Sequence, residues 1–459
     1  MKKFPLLFLL IIIFLIFSQF NCSSPTAPQN EISFSAVDVV CTEVWLKLGF
    51  TNSSNGGKYE ITRNGNVVLA GTLVQTDTVL VDTTVQPSKS YNYIAYQIIN
   101  GNNKKQSLPI QVTTLDSTSS SYSWQLYKFG DFNSTGMPSY LYDVKIINDS
   151  LIYAVGDIYM NKATGNNNIS YPYNLIKWNG KNWNYFTLQY FPPGSTGDSV
   201  YAPGSALFAN NQNDIWVSAG VPFHFNGSSW TAFYNTGANE ANRIWCDKNG
   251  NCWFVGNSGS VILYTKGKWQ SITSTTKPNL YDIYSIDGKN IYLSGSNFQN
   301  YSGILLKGNS SGFNTLEYGM NLVNSIQLFN PYFDGIARTV WVSNTGTVFF
   351  AGNWLYRDVG GQISFMKSLP GNHWGGNTSG QYSGFLSQIR GLAENQMILV
   401  GERNTIRYFN GVNWKQLGMP YDPNSNYTWL STAITNDLIV VVGYTTNPTN
   451  GIIMMLKRK

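Results

Sequence analysis

The chain has 459 residues, of which 42% are hydrophobic, 15% aromatic and only 12% charged. That length allows two or more domains with sizeable cores, and low charge with 43 glycines favours many short strands joined by polar turns over long helices. The formal charge of +6 is spread thinly apart from the Lys457, Arg458 and Lys459 end, which leaves no electrostatic footprint for nucleic acid.

At the start, Lys2 and Lys3 precede an almost wholly apolar run from Phe4 to Phe17. That run is shorter than the roughly 20 residues a membrane-spanning helix needs and predicts an export signal over 1–21. Cys22 follows, then a Ser/Thr/Pro/Gln/Asn-rich tether to Asn30. The arrangement resembles a bacterial lipoprotein signal, which implies lipidation of Cys22 and a location at the outer membrane or cell surface. Gln19, Phe20 and Asn21 depart from the Leu and small-residue pattern of that family. The alternative is an ordinary secretory signal with an incidental cysteine; both predict export.

Residues 31–115 show short alternating segments separated by turn signals at Asn55-Gly56-Gly57, Asn64-Gly65 and Asn100-Gly101. The run from Asp82 to Tyr93 holds Val85, Pro87 and Tyr91 in the spacing of a tyrosine corner. With Trp45 and the Tyr59, Ile61, Arg63, Asn64, Gly65 phrase, it resembles a fibronectin type III domain. That likeness implies a β-sandwich serving as spacer or adhesive unit. Residues 116–122 form a polar linker.

From 123 to 459 the sequence repeats. WNGKNW at Trp178 returns as FNGSSW at Phe225, TKGKW at Thr265 and FNGVNW at Phe409. Apolar companions IYAVG (Ile152), IWVSAG (Ile215), CWFVG (Cys252) and MILVG (Met397) stand upstream, with partial copies at Ile291, Val348 and Ile439. Seven copies of about 48 residues fit the period of propeller blades. The expected fold is all-β: a fibronectin-like sandwich followed by a seven-bladed β-propeller. The last copy supplies three strands, and 123–129 matches the missing outermost strand, so pairing of the two ends is expected to close the ring. The recurring Trp183, Trp230, Trp269 and Trp414 are expected to pack between blades.

Chemistry is sparse. Cys246 and Cys252 flank a short Asn-Gly loop and are a candidate disulfide, whereas Cys41 reads as a small buried residue. No spacing suggests zinc, and no cofactor is expected. Asp422, Asn424 and Asn426 alternate like the start of a calcium loop but lack its Gly and Glu, and the sialidase Ser-x-Asp-x-Gly-x-x-Trp repeat is missing. His224 occupies a strand position, and His373 stands beside Trp374 without a nucleophile motif. The longer connections carry Tyr159, Tyr173, Tyr201, Trp354, Tyr356, His373, Trp374 and Tyr421 among Asn, Ser and Gly, a mixture suited to recognition. The expectation is a monomeric surface protein that binds a glycan or another protein through that face. The competing readings are a carbohydrate-active enzyme using Asp157, Glu240, Asp358 or Glu402, and a structural surface component.

Overall fold

A computed structural model describes residues 32–51, 56–100, 103–161, 170–194, 197–297, 299, 302–320, 332–366, 385–420 and 426–459. The signal segment, the tether with Cys22, and His373, Trp374 and Tyr421 lie outside the described residues. The chain divides into two compact units. Beyond its first segment, which runs to Ala36, one comprises Leu46–Leu80 and Tyr91–Val112; the other takes in Val37–Trp45, Val81–Ser90 and Thr113–Lys459.

The N-terminal strands form two sheets. Ile32–Val39, Val44–Phe50 and Asp77–Asp82 make the first; Asn66–Leu73, Gly57–Arg63, Ser90–Asn100 and Asn103–Gln106, with Ile110–Thr113, make the second. Burial alternates along Ser90–Asn100, with Tyr93 and Ala95 at 0% exposure, which is the period-two signature of a half-buried strand.

Among the described residues of 122–459, seven sheets of four or five strands follow one another, antiparallel except that Gly312–Met320 pairs parallel with Tyr332–Asp334 at the edge of the fourth. In the first, Tyr140–Asn148, Leu151–Asn161, Ser170–Trp178 and Trp183–Phe186 pair in sequence order. The first strands of the sheets are Tyr140–Asn148, Ala206–Asn211, Arg243–Cys246, Asn279–Tyr284, Ala337–Val342, Leu386–Ala393 and Tyr427–Ile434. Each lies beside the next, and the seventh lies beside the first. In the seventh sheet, Tyr122–Phe129 pairs antiparallel with Gly451–Arg458, from Phe129 opposite Gly451 to Tyr122 opposite Arg458.

The repeated turn has a local cause. Asn179 Oδ1 accepts the backbone N–H of Lys181 (3.0 Å) and of Asn182 (2.8 Å), while Gly180 adopts φ 89°. Asn226 with Gly227 and Asn410 with Gly411 repeat the geometry, so Asn supplies the acceptor and Gly the left-handed backbone. The turn sets Trp183 opposite Trp178, Trp230 opposite Phe225 and Trp414 opposite Phe409.

Those tryptophans reach back to the preceding sheet. Trp183 meets Phe129 of the seventh sheet edge-on at 5.6 Å, and Trp269 of the third sheet lies 6.0 Å from Trp216 of the second. Trp230 packs in the cluster of Tyr153, Val155 and Leu175, and Trp414 in that of Trp341 and Phe349. Burying much of such a ring gives these four sheets a large apolar contact with their neighbours. Cys246 and Cys252 stand opposite each other on paired strands and are joined by a disulfide.

Two expectations about connections need correcting. Tyr159 and Tyr173 are expected on a longer connection, but the strands run on through Asn161 and resume at Ser170, so both are strand residues. Likewise, Tyr356, expected on a longer connection with Trp354, lies in the strand Leu355–Val359. The Gly360-Gly361 turn, both residues at positive φ, joins Leu355–Val359 to Gln362–Phe365 as the Asn-Gly turns join strands elsewhere.

Candidate functional site

A belt of buried polar side chains runs around the first strands. In five of the seven strands a register shift falls near the beginning: at Leu141/Asp143, Leu280/Asp282, Ala337/Thr339, Leu386/Gln388 and Trp429/Ser431. A bulge adds one residue and re-aims the next side chain. The re-aimed residues are Asp143, Asp282, Thr339, Gln388 and Ser431, all at most 3% exposed.

Each bonds to a neighbouring sheet. Asp143 accepts the Leu207 N–H (3.0 Å) and the Ser431 hydroxyl (2.7 Å), and Arg243 Nη1 stands 2.5 Å away. Asp282 accepts the Thr339 hydroxyl (2.6 Å) and the Val340 N–H (3.1 Å), and takes both terminal nitrogens of Arg390 at 2.7 and 2.9 Å. Thr339 accepts the Ile389 N–H, and Gln388 accepts from Ser431 and from the Thr432 N–H. Arg243 Nε lies 3.4 Å from Asp282, which completes the circuit. Burial would raise the Asp282 carboxyl, but the charge and hydrogen bonds of Arg390, then the charge of Arg243, outweigh it and hold it below the usual range.

On one side of the belt, toward the long connections, tyrosines converge. Asp157, opposite Tyr140 in register, accepts the Tyr201 hydroxyl at 2.5 Å and also bonds Tyr159. Tyr140 stacks on Tyr142 (5.9 Å, 13°) and meets Tyr444 edge-on at 5.0 Å. Tyr281 lies beneath the Arg338 guanidinium, 5.0 Å from its ring centre, and Arg338 is influenced by Glu402 and Tyr444. Tyr140, Tyr142, Tyr159, Tyr201, Tyr281 and Tyr444 are all half-buried, so each offers part of its ring to solvent. Burial raises the Asp157 carboxyl, with the two tyrosine hydroxyls acting the other way; burial and then Asp157 raise Tyr201.

Tyr201 is placed by its own small hairpin, Gln189–Tyr190 with Val200–Tyr201. Both ends of that connection are held by Asn174, fully buried, which donates to the Leu188 and Ala202 carbonyls and accepts the Leu188 N–H. Thus Tyr159 and Tyr201 come together on Asp157. Tyr173 stands apart with its ring 5.2 Å from Tyr185, although its carbonyl lies 3.4 Å from the Tyr201 hydroxyl.

Trp354 packs against two hydrophobic clusters. Tyr356, 5% exposed and stacked on Phe350 at 5.3 Å, faces the sheet packing and corrects its expected place on a binding loop. His224 stacks on Trp216 at 4.3 Å with Nε2 2.8 Å from Asp214, a structural contact. Of the carboxylates considered for hydrolysis, Glu402 accepts the Phe385 N–H beside the start of the paired strand and Asp358 the Gly361 N–H of its own turn, so each is engaged in a separate sheet. Among the described residues no cluster of three or more His, Cys, Asp or Glu offers a metal site, and no helix is long and apolar enough to cross a membrane.

Sequence reasoning missed Tyr140, Tyr142, Tyr281, Arg338 and Tyr444 as well as the belt. One signal was available: Leu-Tyr-Asp at 141–143 recurs at 280–282.

No family model and no curated protein matches the chain. Similar solved structures include YCF48 bound to D1 peptide, 11% identical with a TM-score of 0.50, covering 75% of this chain and all of that one. The WD40 β-propeller domain of Doa1 is 12% identical, TM-score 0.47, over 74% of this chain and 98% of its own. YCF48 from Cyanidioschyzon merolae is 9% identical, TM-score 0.46, over 73% and 99%. The succession of four-stranded sheets with adjoining first strands and the YCF48 likeness give the chain a β-propeller fold.

Proposed function

We propose that this is an exported protein, anchored by a lipid on Cys22, in which a fibronectin type III-like module precedes a ring-closed, seven-bladed propeller that binds a polypeptide ligand. Binding takes place at the long-connection mouth. The observation that carries the reading is the convergence of Tyr140, Tyr142, Tyr159, Tyr201 and Tyr444 around Asp157. Partly exposed tyrosines supply large, rigid contact area at low entropic cost, and their hydroxyls adapt to backbone donors and acceptors.

Ring closure rests on the Tyr122–Phe129 pairing with Gly451–Arg458 and on the circuit of first strands. A polypeptide is favoured over a glycan because the structurally similar YCF48 was solved bound to a peptide. The purified 31–459 chain is to be probed on peptide and glycan arrays, followed by titration of the best binder. Tyr159→Ala and Tyr444→Ala should each weaken binding about tenfold or more, the effect of removing an interface anchor, without loss of fold. Binding confined to glycans, or turnover of a bound glycan lost in Asp157→Ala and Glu402→Ala, would replace this reading with the carbohydrate-directed one. Labelled-palmitate incorporation lost in Cys22→Ala tests the anchor, and unchanged labelling refutes it.

A further inference from the structure

On the other side of the polar belt, a second pocket opens among the same first strands. Along Tyr140–Asn148, Tyr140 precedes Asp143 by three residues and Lys145 follows it by two, so the tyrosine mouth and Lys145 lie on opposite sides of the belt. The pocket, about 270 Å³, is walled by Ile146, Phe208, Trp245, Tyr284, Leu392 and Ile434. Lys145, Arg243 and Arg390 supply its charge.

Charge accounting separates these three. Arg243 is paired with Asp143 and Arg390 with Asp282, so both guanidiniums are neutralised within the belt. Lys145 has no carboxylate in salt-bridge contact among the described residues. Its ammonium instead sits 4.4 Å from the centre of the Phe208 ring. Three cations against two carboxylates leave one positive charge in a half-enclosed pocket of mixed polar and apolar lining. Burial, and then the Arg390 guanidinium, push the Lys145 ammonium down to about 8, with Asp143 acting the other way. Such a cation gains most from an incoming anion, because the pocket walls lower the local dielectric.

We propose that this pocket binds a small monocarboxylate with an apolar body, its carboxylate on Lys145 and its body against Phe208, Trp245 and Ile434. The volume of about 270 Å³ lies just below the usual range for small-molecule sites and fits one ring or short chain, not an extended polymer. One surplus charge selects a monoanion over a phosphate, which would bring a second charge without a partner. The same chemistry is carried by a free aryl or alkyl acid and by the terminal carboxylate of a peptide ending in an apolar residue.

The test is titration calorimetry on the 31–459 chain with four probes: 3-phenylpropionate, its neutral amide, and a tetrapeptide ending in Phe with a free or an amidated C-terminus. Binding of a carboxylate form at least tenfold tighter than its amide supports the proposal, and the probe pair showing that preference identifies the source as free acid or chain terminus. Lys145→Met should abolish the preference while the melting temperature stays within a few degrees, and Lys145→Arg should restore part of it. Equal affinity for acid and amide, absence of binding by all four probes, or an undiminished preference in Lys145→Met overturns it. The acid-against-amide comparison uses the unaltered protein, so it decides the matter even if a variant fails to fold.

Discussion

Asp282 is fully buried yet carries a charge, because Arg390 grips it with two nitrogens and Thr339 and Val340 complete its acceptor positions. Replacing it with Ala leaves the Arg390 guanidinium without its partner, and loss of one member of a buried pair costs about 3–5 kcal/mol. Denaturant unfolding of Asp282→Ala should show that loss, and a change below about 1 kcal/mol would mean the belt is not what ties the sheets together. Glu394 behaves oppositely. It is 4% exposed, bonded by the Thr345 hydroxyl, and burial followed by the charge of Asp38 in the same unit lifts its carboxyl to about 8. A folded-state value above the unfolded one means that the folded chain holds the proton more tightly. Stability is therefore fully present below the unfolded carboxylate range near 4.3 and declines as pH rises toward 8. Melting temperatures recorded from pH 5 to 8 should fall, and Glu394→Gln should flatten the slope; equal slopes would assign the decline to another group. Neither residue was legible in the sequence. The belt position is Asp in two sheets but Thr, Gln and Ser in three others, so what repeats is a hydrogen-bonding role, and its cationic partners come from distant strands.

At the scale of the element, the most readable feature was the turn that precedes each tryptophan. Asn-Gly encodes a local geometry, an acceptor plus a left-handed residue, and local geometry survives in sequence as a fixed phrase. Gly180 shows its limits of substitution: φ is 89°, and an added Cβ would stand 3.0 Å from the Ser150 Cβ. Gly180→Ala should therefore lower stability by about 1–2 kcal/mol, measurable as a shift in denaturation midpoint without a change in slope. An unchanged midpoint would show that the turn relaxes freely. The strand carrying Tyr356 was misread because Asn353-Trp354 looks like loop sequence, whereas a tight turn there follows the strand Val348–Gly352 directly. The tyrosine mouth was half legible for a related reason. Tyr159 and Tyr201 follow recognisable apolar runs in the sequence, but Tyr140, Tyr142, Tyr281 and Tyr444 lie inside the repeat's own strands, where period-two alternation assigns them to a face without showing that those faces meet.

Across the whole molecule, the seventh sheet draws its fourth strand from the other end of the repeat region, and the pairing covers eight residues from each end. The sequence already implied this, since the last copy lacks an outer strand and the surplus Trp124 strand has no copy of its own. The consequence is thermodynamic. Strand ends far apart in the chain meet without a connecting loop, so their hydrogen bonds stabilise the seventh sheet but contribute nothing to a run of sheets that lacks either end. Removing residues 451–459 deletes the third strand of that sheet, exposes Val440 and Val442, and leaves Tyr122–Phe129 with no partner strand. The first sheet also loses part of a packing face, because Trp183 packs on Phe129 and the strand that carries Phe129 pairs with Gly451–Arg458. The truncated chain should thus unfold at lower denaturant concentration and in a broader, less cooperative transition, with early exposure of the Trp183 environment by fluorescence. A truncated chain that retained a single sharp transition at the original midpoint would show that each sheet is stable through its neighbours alone, and that joining the ends adds little.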